Sequence, residues 1–243
     1  MSPLRRRPLL ALSLLLLVGI MLSIFLGRYP QPGFISPRTL WEDRLAQQLV
    51  LRLRLPRILM ACLLGMSLAA AGTVLQMIFR NPLVEPGFLG VSQGAAFGAA
   101  FSIIFLDAAP LMIQLSAALF ACLGLAFSYF LARHIRYGGW TLRLVLAGIA
   151  VSAIFSSGVG LLKYVADPLT ELSEITFWML GALWGITWDD IWVTLPVVVV
   201  ALTVIVLMRW RLNLLSLDEE TAISLGISPT RERLILLVAA VVA

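Results

Sequence analysis

An all-α fold that crosses a membrane several times is predicted by three features of the sequence. Hydrophobic residues make up 60% of the 243 residues and charged residues only 13%, far more apolar surface than a soluble core requires. The apolar residues gather into runs of about 20, the length at which a helix rising 1.5 Å per residue crosses a hydrocarbon layer of about 30 Å. The basic residues fall at the ends of those runs and not on one soluble face. Topology therefore accounts for the net charge of +5, and no nucleic-acid partner is implied.

The elements follow in order. "MSPLRRRPLLALSLLLLVGIMLSIFLG" starts like a signal peptide but lacks a small-x-small cleavage site, so it reads as a retained first span over 8–27. Residues 28–56 form a segment outside the membrane. Within it "SPRTLWEDRLAQQLV", 36–50, mixes charged and apolar residues at helical spacing and predicts a short amphipathic helix at the membrane surface. Further spans are expected over 57–79, 88–106, 110–132, 142–165 and 188–210, six full spans in all. "EITFWMLGALWGI" is too short to cross and predicts an interfacial or re-entrant helix. A seventh span begins near Leu234. It ends ten residues past Arg233, about half the hydrocarbon core, so residues 1–243 read as one transmembrane domain incomplete at its C-terminus.

Charge sets the orientation. With the N-terminus in the cytoplasm, Arg5, Arg6, Arg7, Arg80, Arg133, Arg136, Arg143, Arg209, Arg211, Arg231 and Arg233 all lie inside. The outer loops after the second span then hold Lys163 against Asp107, Asp167, Glu171, Glu174, Asp189 and Asp190. This obeys the positive-inside rule. The first outer segment breaks it, with Arg28, Arg38, Arg44, Arg52, Arg54 and Arg57. Arginines held outside against the rule suggest an acidic partner.

Two stripes of small residues recur at four-residue steps: Gly90, Gly94, Gly98 and Ser102 in the third span, and Gly148, Ser152, Ser156 and Gly160 in the fifth. Such stripes let helix backbones approach closely in lipid. Packing within the chain, a subunit interface and the lining of a translocation path all use them, and the spacing alone leaves all three open.

Several motifs exclude chemistry. "GVSQG", 90–94, matches a serine nucleophile elbow, which needs a strand-turn-helix and a nearby base. Here it opens a membrane helix, and His134 is the sole histidine. No H-E-x-x-H zinc motif and no phosphate-binding P-loop occur, so the chain does not cradle ATP by itself. Cys62 and Cys122 lie inside apolar runs as small core residues, without disulfide or metal-ligand spacing. No charge sits deep in a span, which argues against a proton relay. "RNPLVEPGFLG", 80–90, is broken by prolines and glycines into a rigid turn carrying Asn81 and Glu85. In the loop 209–234, Ser216 or Asp218 can cap a short helix with Glu219 and Glu220 in its first turn and Gly226 at its end. Ala222 and Leu225 are placed on one face of it. This is a shape that fits a groove in another protein, or a plain surface helix.

Five stretches together resemble the permease subunits of FecCD-type ABC importers: "RLPR" (54–57), "NPLVEPGFLGVSQGAA" (81–96), "LAG" (146–148), "FWMLGALWGITWDD" (177–190) and "RLNLLSLDEETAISLGI" (211–227). That family imports iron-siderophores, haem and cobalamin. The resemblance implies a ten-helix subunit in the cell inner membrane with a cytoplasmic N-terminus. It implies a second permease subunit, identical or not, two ABC ATPase subunits and an extracytoplasmic substrate-binding protein. The chain itself is then not an enzyme and binds no metal or cofactor; ATP-Mg sits on the partner subunit. By the same resemblance Arg54 and Arg57 dock the binding protein. Asn81, Leu83, Thr141 and Leu142 form the cytoplasmic gate. Asp218, Glu219, Glu220, Ala222, Leu225 and Gly226, within a cytoplasmic loop 211–232, couple to the ATPase, and Gly148, Ser152, Ser156 and Gly160 line the path or pack the subunit dimer. An iron-siderophore leads as cargo. A secondary transporter or channel acting without an ATPase is the alternative.

Overall fold

The computed structural model describes residues 3–27, 29, 33–106, 109–217 and 219–242. Arg28, Asp107 and Asp218 lie outside the described residues, as do the side chains of Arg5, Arg6 and Glu219. The chain divides into two compact units, residues 1–64 with 183–195, and residues 65–182 with 196–243.

The first unit opens with α1 (Pro3–Phe25), which carries the first apolar run. A two-stranded ribbon follows, β1 (Leu26–Gly27) antiparallel to β2 (Gly33–Phe34), with Leu26 opposite Phe34. The expected amphipathic helix forms as two pieces, α2 (Pro37–Glu42) and α3 (Arg44–Gln48). Asp43 is the reason for the break. Its backbone is extended, and its carboxylate accepts from the Leu45 N–H at 2.9 Å, starting a new helix. Ser36 does the same for α2 by accepting from Thr39 N–H. A π-helical turn (Leu49–Arg54) then runs without interruption into α4 (Leu55–Phe79).

The second unit takes up the later part of α4 and continues through a 3-10 turn (Pro86–Leu89), α5 (Val91–Phe105), α6 (Pro110–His134), α7 (Trp140–Val165) and α8 (Glu171–Leu180). After α9 (Trp188–Leu207), which begins in the first unit, come α10 (Arg209–Leu215), α11 (Glu219–Ser224) and α12 (Pro229–Val242). Five helices among the described residues are long and apolar enough to cross a membrane: α1 from Arg7, the run Arg44–Phe79, α6, α7 and α9. The span expected over 88–106 is shorter. Residues 86–89 wind as 3-10 and Gly90 turns at φ +77°, so α5 starts only at Val91. Its 15 residues rise about 22 Å. α8 has ten residues, as its short apolar stretch predicts.

The main apolar cluster of this unit joins α4, α6, α7, α9, α10 and α12 around Leu75, Leu144 and Leu236, and beside it α5, α6 and α7 pack closely as a trio. A Cβ added at Gly94 would lie 2.4 Å from the Phe120 carbonyl oxygen, and one at Gly98 would lie 2.5 Å from that of Ser116. Buried hydroxyls join the same helices: Ser116 Oγ donates to the Gly98 carbonyl at 2.7 Å, and Ser128 Oγ to that of Leu89 at 2.8 Å. Phe97 nests against Phe120 and Phe155, with ring centroids 5.0 and 5.6 Å away. The α5 stripe therefore serves packing within the chain.

Candidate functional site

Two groups of residues gather the polar chemistry, one in each unit. In the first unit the arginines meet exposed backbone carbonyls. The last carbonyls of a helix have no partner of their own, and Arg54 Nη1 donates to one of them, Ile24 of α1, at 2.7 Å. Gly27 makes room for this, since a Cβ there would fall 1.7 Å from Arg54 Nη2. Arg57 reaches the loop before α9, with Nε donating to the Leu183 carbonyl at 2.9 Å and Nη2 to that of Trp184 at 2.6 Å. Trp188, the first residue of α9, adds a tie of its own, Nε1 donating to the Leu51 carbonyl at 2.9 Å. Arg54 is half-buried, while Arg52 and Arg57 are exposed. The two arginines expected to be open docking groups are thus also internal ties, a use that sequence spacing does not signal.

Nearby, the Tyr29 hydroxyl donates to Asp43 Oδ2 at 2.8 Å. This bond holds the Asp43 carboxyl below the usual carboxylate range, helped by the Leu45 N–H, and pushes the Tyr29 phenol up.

In the second unit the site begins where α4 ends. Asn81 N–H donates to the Gln76 carbonyl at 3.1 Å and Arg80 N–H to that of Met77 at 3.3 Å, with Arg80 in the left-handed region at φ +50°. This is a Schellman closure with arginine where glycine is usual. Asn81 Oδ1 accepts from Leu83 N–H at 2.9 Å, so the Asn81 side chain builds the turn that leaves Leu83 81% exposed. Arg80 Nη2 donates to the Leu217 carbonyl, far along the chain. Thr141 and Leu142 lie in the first turn of α7, half-buried and exposed respectively. Phe79 and Trp140, the residues beside these two turns, pack with ring centroids 6.1 Å apart, and the Arg233 guanidinium lies 4.9 Å from the Trp140 ring centre.

The α7 stripe serves two uses. Gly148 takes the 3-10 turn against its backbone; a Cβ there would sit 2.1 Å from the Phe88 carbonyl oxygen. Ser152 helps line a cavity of about 300 Å³ together with Glu85, Phe88, Ser92, Gln93 and Ile149. Ser156 and Gly160 are exposed, with open space beside Gly160. Gln93 as a lining residue was hidden in the sequence, because the 3-10 turn that rotates it there is a tertiary feature. Ser92 is in the first turn of α5, which is entered from the 3-10 turn and not from a strand, and His134 closes α6 by donating from Nδ1 to the Phe130 carbonyl at 2.9 Å. Neither arrangement forms a nucleophile elbow.

α11 is the short helix expected in the loop, with two corrections. Ser216 does not cap it; Ser216 closes α10, its Oγ donating to the Asn213 carbonyl at 2.6 Å. Ala222 and Leu225 do not share a face. Leu225 closes the last turn, its N–H donating to the Thr221 carbonyl at 3.1 Å, and is 56% exposed, while Ala222 is 1% exposed. The apolar residues offered outward are Ile223 and Leu225. Gly226, at φ +79°, closes the helix: Gly226 N–H donates to Ile223 O at 2.9 Å and Ile227 N–H to Ala222 O at 3.1 Å. Behind α11, Arg211 of α10 pairs with the buried Glu232 of α12.

A family model described as the FecCD transport family matches residues 15–243. The chain belongs to the FecCD transport family. The molybdate import system permease protein MolB of Haemophilus influenzae is 37% identical over 97% of this chain and 72% of that protein. The hemin transport system permease protein HmuU of Yersinia pestis is 34% identical over 96% of this chain and 71% of that one. A solved structure described as a metal-chelate type ABC transporter in an inward-facing conformation superposes with a TM-score of 0.85 and 35% identity, covering 98% of this chain and 74% of that one. This FecCD member is therefore a multi-pass membrane permease of the ABC-importer type, a transport component. Several curated relatives are considerably longer, the chain spanning between 55% and 72% of the length of MolB and a Methanocaldococcus jannaschii permease.

Proposed function

We propose that this FecCD chain works as one permease subunit of a binding-protein-dependent importer for a metal chelate, with its N-terminus in the cytoplasm of the inner membrane. The observation that carries the reading is α11: a capped helix of six residues that presents Ile223 and Leu225 outward, in a chain of a transport family. It suits a groove on an ABC ATPase, where ATP-Mg is hydrolysed. An extracytoplasmic binding protein docks on the arginine cluster, where Arg57 and Arg52 are exposed. A carboxylate suits their fork of donors. A second permease subunit, identical or not, completes the path.

In this mechanism the docked, loaded binding protein and ATP favour different states of the permease, and the cycle between them moves the cargo. The cargo passes the cavity at Glu85, Ser92, Gln93 and Ser152. The turns at Asn81 with Leu83 and at Thr141 with Leu142 close the cytoplasmic side. An iron-siderophore is the leading cargo, with haem and cobalamin as related chelates.

Two measurements test the reading. In the intact permease, with Cys62→Ala and Cys122→Ala, the variant Arg52→Cys is labelled in whole cells with a membrane-impermeant thiol reagent. Labelling that purified binding protein blocks supports the orientation and the docking surface; labelling only in opened cells overturns both. In proteoliposomes holding permease and ATPase and supplied with the binding protein, uptake of ferric siderophore that needs ATP supports the importer. Uptake without ATP supports a secondary transporter or channel instead.

A further inference from the structure

We infer that Arg80 is the positioning residue that transmits motion from the α11 loop to the gate turn. Two helices in the second unit end in the same backbone closure. α11 uses Gly226 at the left-handed position, φ +79°, where a residue without Cβ is unstrained. α4 uses Arg80 at φ +50° in the equivalent place. A side chain there is unfavourable for an L-residue, and a strained position that persists points to a use for that side chain.

The side chain has one in view. Arg80 Nη2 donates to the carbonyl oxygen of Leu217, which lies two residues before α11 begins. On its other side, Arg80 directly precedes Asn81, whose carboxamide sets the turn that exposes Leu83. One residue thus touches the base of the α11 loop with its guanidinium and starts the gate turn with its backbone. The Arg211–Glu232 pair holds α10 to α12 on either side of that loop. A displacement of α11 is then felt at the Leu217 carbonyl and, through the Arg80 guanidinium, at the start of the gate turn.

This inference rests on the importer reading, and the test separates the two. The full-length permease is reconstituted with its ATPase and binding protein, as wild type, Arg80→Gly and Arg80→Lys. Arg80→Gly relieves the backbone while removing the tether, so its thermal midpoint should stay within a few degrees of wild type. It should still hydrolyse ATP, but cargo imported per ATP should fall at least tenfold. Arg80→Lys, with charge kept and one flexible donor in place of the fork, should fall between. Wild-type coupling in Arg80→Gly would overturn the inference, as would loss of complex assembly, which would make Arg80 a residue of the ATPase interface. Absence of ATP-driven uptake in the wild type would instead sink the importer reading.

Discussion

The Arg57 guanidinium holds the Trp184 carbonyl oxygen at 2.6 Å and that of Leu183 at 2.9 Å, so a residue of α4 also fixes the loop that leads into α9. In the proposed docking, a carboxylate from the binding protein would meet an arginine already oriented by two carbonyls. Arg57→Glu removes both ties and adds repulsion, since like charges brought together at an interface cost several kcal/mol. Binding-protein affinity measured on the reconstituted permease should drop by about 100-fold or more. Unchanged affinity would remove Arg57 from the docking surface.

The α11 contact has a more specific expectation. Ile223 and Leu225 are exposed, whereas Ala222 is covered by its own chain. Ile223→Asp and Leu225→Asp should abolish co-purification of the ATPase without changing the melting temperature of the permease. Ala222→Leu should instead lower stability by about 1–3 kcal/mol through overpacking. Normal ATPase retention by both aspartate variants would refute the assignment.

Gly148 leaves no room for a methyl group, because the Phe88 carbonyl would be 2.1 Å from it. Gly148→Ala should destabilise the permease by about 1–3 kcal/mol, read as a lower melting temperature in detergent. Gly160→Ala, with open space around it, should be close to neutral.

Ser128 Oγ is the donor that satisfies the buried Leu89 carbonyl. Ser128→Ala should cost about 1–2 kcal/mol, the range for hydrogen bonds between helices in membranes and for a buried acceptor left unmade. Thermal unfolding of the variant beside Ser128→Thr, which keeps the hydroxyl, measures it.

The Tyr29–Asp43 bond gives a pH dependence with a definite sign. Folding lowers the Asp43 pKa, so its contribution is complete above the unfolded carboxylate value and is lost as pH falls below about 4. Folding raises the Tyr29 pKa, so that contribution is complete below the unfolded phenol value and is lost as pH rises beyond about 10. Limited proteolysis of the segment between α1 and α3 should accelerate at both extremes, and Tyr29→Phe should remove the alkaline limb.

Long apolar runs bounded by arginines made the spans legible, because a hydrocarbon layer imposes one length on every crossing helix. α11 was legible too, since Gly226 and the acidic first turn are local signals. Its outward face was not: Ala222 is covered by its own chain and Leu225 is not, a difference set by tertiary packing and not by their spacing. The shortening of the third span was hidden for the same kind of reason. Gly90 and the 3-10 turn are held by Gly124 and Gly148 on α6 and α7, far apart in sequence. The arginines were seen as breaking a charge rule, but their carbonyl partners on α1 and before α9 are tertiary contacts that no spacing encodes.

The glycine contacts among α5, α6 and α7 carry a mechanical consequence. The carbonyl oxygens of Phe120 and Ser116 on α6 lie closer to Gly94 and Gly98 than a methyl group would allow, and that of Phe88 lies as close to Gly148 of α7. A side chain carried into any of these positions by a shift of register would collide with a carbonyl, so the glycines mark the one alignment in which α6 fits against α5 and α7 fits against the 3-10 turn.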